Sequence, residues 1–330
     1  MDRKRYREIV RGFAGRRVIV LGDLMMDEYV WGRATRISPE SPVMVVEVER
    51  DTSVPGGAAN VVNNLLALGA QVAVIGVIGD DAAGTLLKET LAAHGADVSG
   101  VVTDPSRPTT RKTRIVAHSQ QVLRVDREQT HPICDAVAEH LLRALRREIE
   151  SAEAVAVSDY NKGVLTPQVA ETVVAVTRNA GRVLTANPKP TNVRSLRGAS
   201  LIQLNQSEAE MTATLMGMGS RDGFQNERIL EQIGAAMADQ LQVQTLVMTR
   251  GAKGMTLFQP TGGLCHVPPH PVEVYDAAGA GDTVISAFTL GLAMGAAVEE
   301  AAVVANHAAA CVVRKVGVAT VSPDEIIADW

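Results

Sequence analysis

The amino-acid sequence predicts an α/β fold in which a mostly parallel sheet is covered by helices. From about residue 71 onward, short apolar segments alternate with longer amphipathic segments, which is the pattern of strands joined by crossover helices. The short segments are nearly continuous apolar runs, as in strands that are buried on both faces. With 330 residues and 46% hydrophobic content, the chain can bury a substantial core.

The first predicted strand spans residues 17–22, an apolar run that ends in glycine. Asp23 and Asp27 follow its carboxyl end, and open α/β sheets bind their ligands at that end. Asp27 could therefore hold the hydroxyl groups of a sugar. A solvated acidic residue in a loop is the alternative interpretation.

Two parts of the chain do not follow the strand–helix alternation. Residues 43–50 combine partial alternation with high β propensity, and no crossover helix follows them. Residues 110–117 and 121–127 have the pattern of a hairpin. Together these segments predict a small β lid, at about residues 29–54 and 109–128, that projects from the main body.

A double glycine precedes the next predicted helix, which spans residues 61–68. Gly56 and Gly57 would allow the backbone to approach a ligand closely, and the side chain of Asn60 offers both a donor and an acceptor. This combination suits a polyol ligand. A simple turn between a loop and a helix is the alternative.

The strand–helix alternation continues through the rest of the chain. The further predicted strands are residues 71–77, 154–158, 182–186, 200–204, 244–249 and 255–258. The further predicted helices are residues 82–94, 132–150, 167–179, 207–215, 228–241 and 299–315. Residues 216–226, rich in Gly and Met, predict an exposed loop, and the glycine turn at residues 250–254 could hold nucleotide phosphates.

The stretch Tyr-Asp-Ala-Ala-Gly-Ala-Gly-Asp-Thr, at residues 275–283, leads into an apolar helix that we expect to begin near Gly279. The free N–H groups of a first helical turn and the positive end of the helix dipole would make residues 278–281 an anion cradle. A carboxylate in this cradle would repel the anion unless it had another task. For Asp282 this task could be to accept the proton of an attacking hydroxyl, as in phosphoryl transfer. A tight turn that only starts a helix is the alternative.

Composition argues against several other classes of protein. The net charge of −5, with both signs interspersed, provides no basic surface for nucleic acid. No apolar run approaches the roughly 18 residues of a membrane-spanning helix, and residues 1–16 contain no apolar signal region. Cys134, Cys265 and Cys311 are widely spaced, as reduced structural thiols are. We therefore expect a soluble cytoplasmic protein that binds neither nucleic acid nor membranes.

The motifs of several enzyme classes are missing. The sequence contains no Gly-x-x-x-x-Gly-Lys-Ser/Thr, which excludes a P-loop enzyme. Gly279 and Gly281 have the spacing that begins a dinucleotide fingerprint, but Val284 stands where the third small residue belongs. The His-Glu-x-x-His of zinc proteases and the Gly-x-Ser-x-Gly of serine hydrolases are also absent.

Two motifs give the sequence its resemblance to a known family. Pro55-Gly-Gly-Ala-Ala-Asn60 and Asp276-Ala-Ala-Gly-Ala-Gly-Asp282 occur in the order and at the separation found in the ribokinase-like carbohydrate kinases. The resemblance runs from about residue 17 to residue 320. It implies a ribokinase-like three-layer sandwich with a projecting β lid, a single kinase domain over residues 1–330, the use of ATP and Mg²⁺, and a homodimer formed through the lid.

Within this family the sequence is most similar to the bacterial D-glycero-D-manno-heptose 7-phosphate kinases. The segments that carry this likeness are residues 22–27, 36–42, 159–163, 197–200 and 205–208. Residues 36–42 are the most telling, because they lie in the lid that closes on the substrate. The likeness implies phosphorylation of the anomeric hydroxyl of heptose 7-phosphate. The alternatives are a kinase for ribose, fructose or 2-keto-3-deoxygluconate, and a catalytically silent sugar-binding regulator.

The resemblance also implies roles for individual residues. Asp282 would be the catalytic base, beside an anion hole formed by Gly279, Ala280 and Gly281. The residues that would bind the sugar are Asp27, Arg36, Gly56, Gly57 and Asn60. The residues that would line the nucleotide are Lys189, Asn205, Thr249, Gly251, Gly254 and Asn306. The residues that would hold Mg²⁺ through water are Glu208 and Asn205.

The sequence departs from the family pattern at two positions. Asn187 stands where an Asp is expected, and Ala277 stands where a hydroxyl residue or a valine is usual. Neither departure removes the candidate base.

Overall fold

A long central sheet forms the middle layer of the computed structural model, which describes residues 1–118, 120–219, 224 and 226–330. From edge to edge its strands are β13 (Gly263–Val267), β12 (Met255–Gln259), β11 (Thr245–Thr249), β10 (Leu201–Asn205), β9 (Val183–Asn187), β8 (Ala154–Ser158), β1 (Arg17–Gly22), β4 (Gln71–Ile78) and β5 (Asp97–Thr103). The strands from β11 to β5 are parallel, whereas β12 and β13 are antiparallel. The prediction of a mostly parallel sheet is confirmed.

Helices cover both faces of this sheet. On one face lie α1 (Arg3–Arg11), α2 (Ala58–Ala67), α3 (Ala82–Ala93), α8 (Ala280–Ala293), α9 (Val298–Val312) and α10 (Pro323–Ala328). On the other face lie α4 (Asp135–Glu148), α5 (Pro167–Asn179), α6 (Gln206–Leu215) and α7 (Glu227–Leu241). Strand β1 shows why the strands read as continuous apolar runs: Val18 and Val20 pack in the first core, and Ile19 and Leu21 pack in the second.

A second sheet forms the lid. Its strands, in spatial order, are β3 (Met44–Gly57), β2 (Leu24–Ile37), β6 (Thr110–Ala117) and β7 (Gln120–Arg127). The lid strands reach further into the core than the sequence predicts, because β2 begins directly after β1 with only Asp23 between them. The lid strands leave several apolar side chains exposed: Ile37, Met44, Val48, Val122, Leu123 and Val125.

Several boundaries differ from the prediction. Helix α2 begins at Ala58 rather than at Val61, because Gly57 adopts a left-handed φ of 56° that turns the strand directly into the helix. Asn60 therefore lies in the first helical turn. The sequence did not predict β5, β13, α1 and α10, whose polar residues obscure the apolar periodicity, and it predicted β2 only where that strand lies in the lid.

The predicted loop at residues 216–226 is only partly described. Residues 220–223 and 225 lie outside the described part of the chain. Met216 and Phe224, at the described positions, are buried against the second core rather than exposed. Among the helices that the structure describes, none has the length and apolar character needed to cross a membrane. Cys134, Cys265 and Cys311 are free thiols.

Candidate active site

The first turn of α8 lies at the carboxyl edge of the central sheet, and its start agrees with the prediction. Gly279 is the N-cap residue and has a left-handed φ of 77°. A Cβ at this position would lie 2.9 Å from Nδ2 of Asn60, so a side chain would press against α2. Asp282, the third residue of α8, is 5% exposed.

The carboxylate of Asp282 receives one hydrogen bond on each oxygen. Nδ2 of Asn60 donates to Oδ2 at 2.7 Å, and the hydroxyl of Tyr160 donates to Oδ1 at 3.0 Å. Each oxygen keeps a lone pair for a further donor. The two donors fix the plane of the carboxylate, which is the orientation a general base requires.

A buried chain of hydrogen bonds determines which way Asn60 points. The hydroxyl of Thr283 donates to Oδ1 of Asn64 at 2.6 Å, and Nδ2 of Asn64 lies 3.3 Å from Oδ1 of Asn60. The amide oxygen of Asn60 thus accepts from Asn64, which leaves its NH₂ group to donate to Asp282. The chain that orients Asn60, and through it the base, consists of buried residues.

Burial raises the pKa of Asp282 to about 6, and the hydrogen bonds from Asn60 and Tyr160 oppose this rise. The negative charge of Asp27 raises the pKa further, and the positive charge of Lys189 lowers it. A carboxyl group with a pKa of about 6 is ionised at neutral pH and is still a stronger base than an exposed aspartate.

Two cavities meet beside Asp282. The larger has a volume of about 490 Å³, and four predicted nucleotide residues line it: Thr249, Gly251, Gly254 and Asn306. The smaller has a volume of about 160 Å³, and its lining includes the polar residues Tyr160, Asn187, Lys189, Gln203, Asn205, Glu208 and Asp282. Thr249 and Gly281 line both cavities. The predicted nucleotide residues therefore divide between the two cavities.

The smaller cavity carries a charged pair. Nζ of Lys189 lies 2.5 Å from Oε1 of Glu208. Glu208 also closes a capping box at the start of α6, since its Oε2 accepts from the backbone N–H of Asn205 and the side chain of Asn205 accepts from the N–H of Glu208. The carboxylate is therefore held at the cavity wall by its own helix.

The polar groups of this cavity fit a hydrated Mg²⁺ ion. Gln203 is 2% exposed, and its Oε1 has no hydrogen-bond partner among the described residues. This orphaned acceptor shares the cavity with the oxygens of Asn205 and Glu208. Oxygen ligands and ordered water are the surroundings that Mg²⁺ prefers.

Fewer N–H groups of the predicted anion cradle are free than the sequence suggests. The N–H of Ala278 donates to the carboxylate of Asp276 at 2.9 Å, and the N–H of Ala280 lies 3.3 Å from the carbonyl of Ala277. Within the described part of the chain, the N–H groups of Gly279 and Gly281 have no partner. These two glycine amides are the donors that remain free for an anion.

Most of the predicted sugar-binding residues lie together. Asp27 is 6% exposed and pairs with the guanidinium of Arg114. A Cβ on Gly56 would lie 2.2 Å from Oδ2 of Asp27, so only glycine fits beside this carboxylate. Gly57 follows, and it leads into the helix that carries Asn60.

Arg36 lies apart from the other predicted sugar-binding residues. It lies near the distal end of β2, nine residues from Asp27, which corresponds to about 30 Å along the strand. Its guanidinium is 3.6 Å from Glu47, and the side chain is 65% exposed.

Two buried carboxylates organise the loops around the site, and the sequence reading assigned neither of them a role. Asp23 accepts the backbone N–H groups of Tyr160 at 2.7 Å and Lys162 at 3.1 Å. Asp159 accepts the N–H of Lys189 at 2.9 Å. Burial, followed by the charge of Asp159, raises the pKa of Asp23 to about 6. The only available signal for Tyr160 was the segment 159–163, which contributed to the family resemblance.

Comparison with known proteins supports this description of the fold. The chain matches the family model "pfkB family carbohydrate kinase" over residues 16–325. It is 45% identical over 329 residues to the Bifunctional protein HldE of Geotalea uraniireducens (strain Rf4), covering 100% of this chain and 66% of that protein. It is 43% identical over 327 residues to the Bifunctional protein HldE of Geobacter metallireducens, covering 99% and 65%. The chain thus spans slightly less than two thirds of the length of these relatives.

Solved structures show the same fold at low sequence identity. The ribokinase of Arabidopsis thaliana, complexed with ribose and ATP, has a TM-score of 0.73 at 19% identity and covers 96% of this chain and 98% of its own. The phosphofructokinase-2 of Escherichia coli in complex with potassium has a TM-score of 0.76 at 17% identity, with coverages of 94% and 97%. The predicted ribokinase-like sandwich is confirmed.

Proposed function

The chain belongs to the pfkB family of carbohydrate kinases, and on that premise we propose that it transfers a phosphoryl group from ATP to the anomeric hydroxyl of D-glycero-D-manno-heptose 7-phosphate. The observation that carries the proposal is the position of Asp282. Its buried carboxylate is oriented by two donors at the junction of two cavities, beside the free amides of Gly279 and Gly281.

The proposed reaction uses this arrangement. The carboxylate of Asp282 accepts the proton as the sugar hydroxyl attacks the γ-phosphorus of ATP. A new bond forms between the sugar oxygen and phosphorus, the bond to the β-phosphate oxygen breaks, and ADP leaves with the electron pair. The N–H groups of Gly279 and Gly281 stabilise the charge of the transferring group.

The two cavities suit the two ends of ATP. The larger cavity, with Asn306 on α9 and the glycine turn after β11, would hold the nucleoside. The smaller cavity would hold the terminal phosphates, with Lys189 as their counter-charge. Glu208 and Asn205 would hold Mg²⁺ through water, and the ion would neutralise charge on the phosphate oxygens.

The choice of heptose 7-phosphate rests on two lines of support. One is the likeness of residues 22–27, 36–42 and 159–163 to heptose 7-phosphate kinases. The other is the identity of 40–45% to proteins of the HldE group over nearly the whole chain. Asp27, Gly56, Gly57 and Asn60 would contact the sugar next to the base.

A coupled ADP-release assay tests this function. The panel comprises heptose 7-phosphate, the free heptose, ribose, fructose and 2-keto-3-deoxygluconate, each with ATP and Mg²⁺ and with Asp282→Asn as the background control. We expect a clear preference for heptose 7-phosphate. Preference for an unphosphorylated sugar would reject the heptose assignment. ADP release no greater than that of Asp282→Asn with any sugar would favour a silent sugar-binding protein.

We also propose that two copies of the chain associate through the lid. Strands β3 and β7 are the edges of the lid sheet, and an unpaired strand edge readily forms an interface. The exposed lid side chains Ile37, Met44, Val48 and Leu123 add an apolar surface. Such an interface would bury this surface and would bring Arg36 close to a second chain.

A further inference from the structure

We propose that Tyr160 is a positioning residue for phosphoryl transfer, which acts on the catalytic base through its hydroxyl and on Lys189 through its ring. This inference rests on the proposed kinase function. Tyr160 is absent from the residues to which the family resemblance gives a role.

The carboxylates of Asp23 and Asp159 hold the backbone at Tyr160 and Asn161 in place. Its N–H donates to Oδ2 of Asp23 at 2.7 Å, and Asp23 is 2% exposed. The next residue, Asn161, has a left-handed φ of 57°, and its N–H donates to Oδ1 of Asp159 at 2.8 Å. The turn after β8 therefore presents the phenol in one direction, toward the first turn of α8.

The hydroxyl of Tyr160 is a permanent donor to the base. Burial and the neighbouring charge of Asp282 raise the pKa of Tyr160 well above its ordinary value, so the phenol stays protonated at any working pH. Its hydrogen bond to Oδ1 and that of Asn60 to Oδ2 hold the carboxylate at both ends. Without the hydroxyl of Tyr160, only the hydrogen bond from Asn60 would hold the carboxylate of Asp282, which could then rotate about its Cβ–Cγ bond.

The ring of Tyr160 faces the positive charge of the smaller cavity. Nζ of Lys189 lies 5.1 Å from the ring centroid, within the range of a cation–π contact. The same nitrogen pairs with Glu208, and the backbone N–H of Lys189 donates to Asp159. The ring thus forms one wall of the site that holds this ammonium group.

Two variants separate the two contacts. Tyr160→Phe removes the hydroxyl and keeps the ring, so we expect kcat to fall about 10- to 100-fold, the effect of one hydrogen bond to a charged group, with the KM for ATP unchanged. Tyr160→Leu removes both contacts, so the KM for ATP should rise as well.

The pH profile of kcat/KM tests the positioning role, because it would not change if Tyr160 had a purely structural role. The hydrogen bond from Tyr160 lowers the pKa of Asp282, so its loss should shift the acidic limb of kcat/KM to higher pH. The other charged groups that face this pair are Asp27 on β2, Lys189 after β9 and Glu208 on α6, and both variants leave them in place.

Tyr6→Phe is the matched control. Tyr6 is also a buried tyrosine, and its hydroxyl donates to the carbonyl of Ile326 at 3.0 Å, in a contact between α1 and α10. This variant should lower the melting temperature and leave kcat, KM and the pH profile of the enzyme unchanged.

A titration of the ligand-free protein separates this inference from the proposed substrate. The carboxyl signal of Asp282 can be followed by infrared difference spectroscopy, with Asp282→Asn identifying the band. Tyr160→Phe should titrate at higher pH than the wild type, whichever sugar is the substrate. An unchanged titration of Asp282 in Tyr160→Phe, or a kcat and pH profile equal to those of the wild type, would overturn the proposal.

Discussion

The side-chain amide of Asn60 donates a hydrogen bond of 2.7 Å to the carboxylate of Asp282, across 222 positions of sequence. The two residues end the two motifs on which the family resemblance depends. Their contact joins the first turn of α2 to the first turn of α8, so each motif supports the geometry of the other.

The first prediction concerns the base itself. Asp282→Asn keeps the size of the side chain and removes its ability to accept a proton, so kcat should fall about 10²- to 10⁴-fold. The dissociation constant for ATP, measured by calorimetry, should change little. Asp239→Asn, an exposed substitution on α7, serves as the control and should behave like the wild type. Near-normal turnover in Asp282→Asn would remove the assignment of the base.

The second prediction is a pH dependence of activity and stability. Because the pKa of Asp282 is about 6, kcat/KM should fall tenfold per unit below this pH. In the unfolded chain the same group has a pKa near 3.8, so the folded state binds the proton more tightly. The contribution of Asp282 to the free energy of unfolding therefore decreases as pH rises from about 4 to about 6, by about 3 kcal/mol.

Asp282→Asn tests the sign of this effect. The variant should be more stable than the wild type at pH 8, where the wild type buries a charge, and should show no gain at pH 4. Urea denaturation at the two pH values measures the difference. A stability difference between the two proteins that is the same at pH 4 and at pH 8 would contradict the raised pKa.

The third prediction concerns Asn60. Asn60→Ala removes the donor to Asp282 and the acceptor for Asn64, and both partners stay buried. The free energy of unfolding should fall by about 1–3 kcal/mol, and turnover should fall at least tenfold. Asn63→Ala is the control, because the side chain of Asn63 forms its hydrogen bond with the ring of His94 at the surface, away from Asp282. A loss of stability with unchanged turnover would show that Asn60 does not orient the base.

The fourth prediction separates the charge of Glu208 from its capping role. Glutamine at the same helical position can also form a capping box, so Glu208→Gln should preserve the melting temperature. The Mg²⁺ concentration for half-maximal activity should rise. Asn205→Ala, which removes the N-cap, should instead lower stability by about 1 kcal/mol. An unchanged Mg²⁺ requirement in Glu208→Gln would argue against a role of this carboxylate at the metal.

The fifth prediction concerns association. Val48 is 60% exposed on the lid, and Leu86 is 47% exposed on α3. Sedimentation at micromolar concentration should show a dimer for the wild type and for Leu86→Glu, and a shift toward monomer for Val48→Glu. A monomeric wild type would defeat the proposed lid interface.

The sequence predicted the elements whose signals are local. Strand β8 and helix α5 agree with the prediction to the residue, because β8 is an uninterrupted apolar run and α5 starts with Thr166 as N-cap and a proline at its first position. The part of strand β2 that precedes the predicted lid was not predicted, because Asp27 and Glu28 interrupt its apolar pattern.

The site was predictable only where a motif marks it. Asp282, Gly279 and Asn60 follow from glycine-rich turns at helix starts. The supporting contacts of Tyr160 and Asp23 did not follow, because hydrogen bonds between residues more than a hundred positions apart leave no periodic trace in the sequence.

Strand β2 follows β1 with only Asp23 between them, so this residue joins the central sheet to the lid. The carboxylate of Asp23 also accepts the backbone N–H of Tyr160, in the turn after β8. One buried side chain thus connects the start of the strand that leads into the lid with the turn that presents the hydroxyl of Tyr160 to the base.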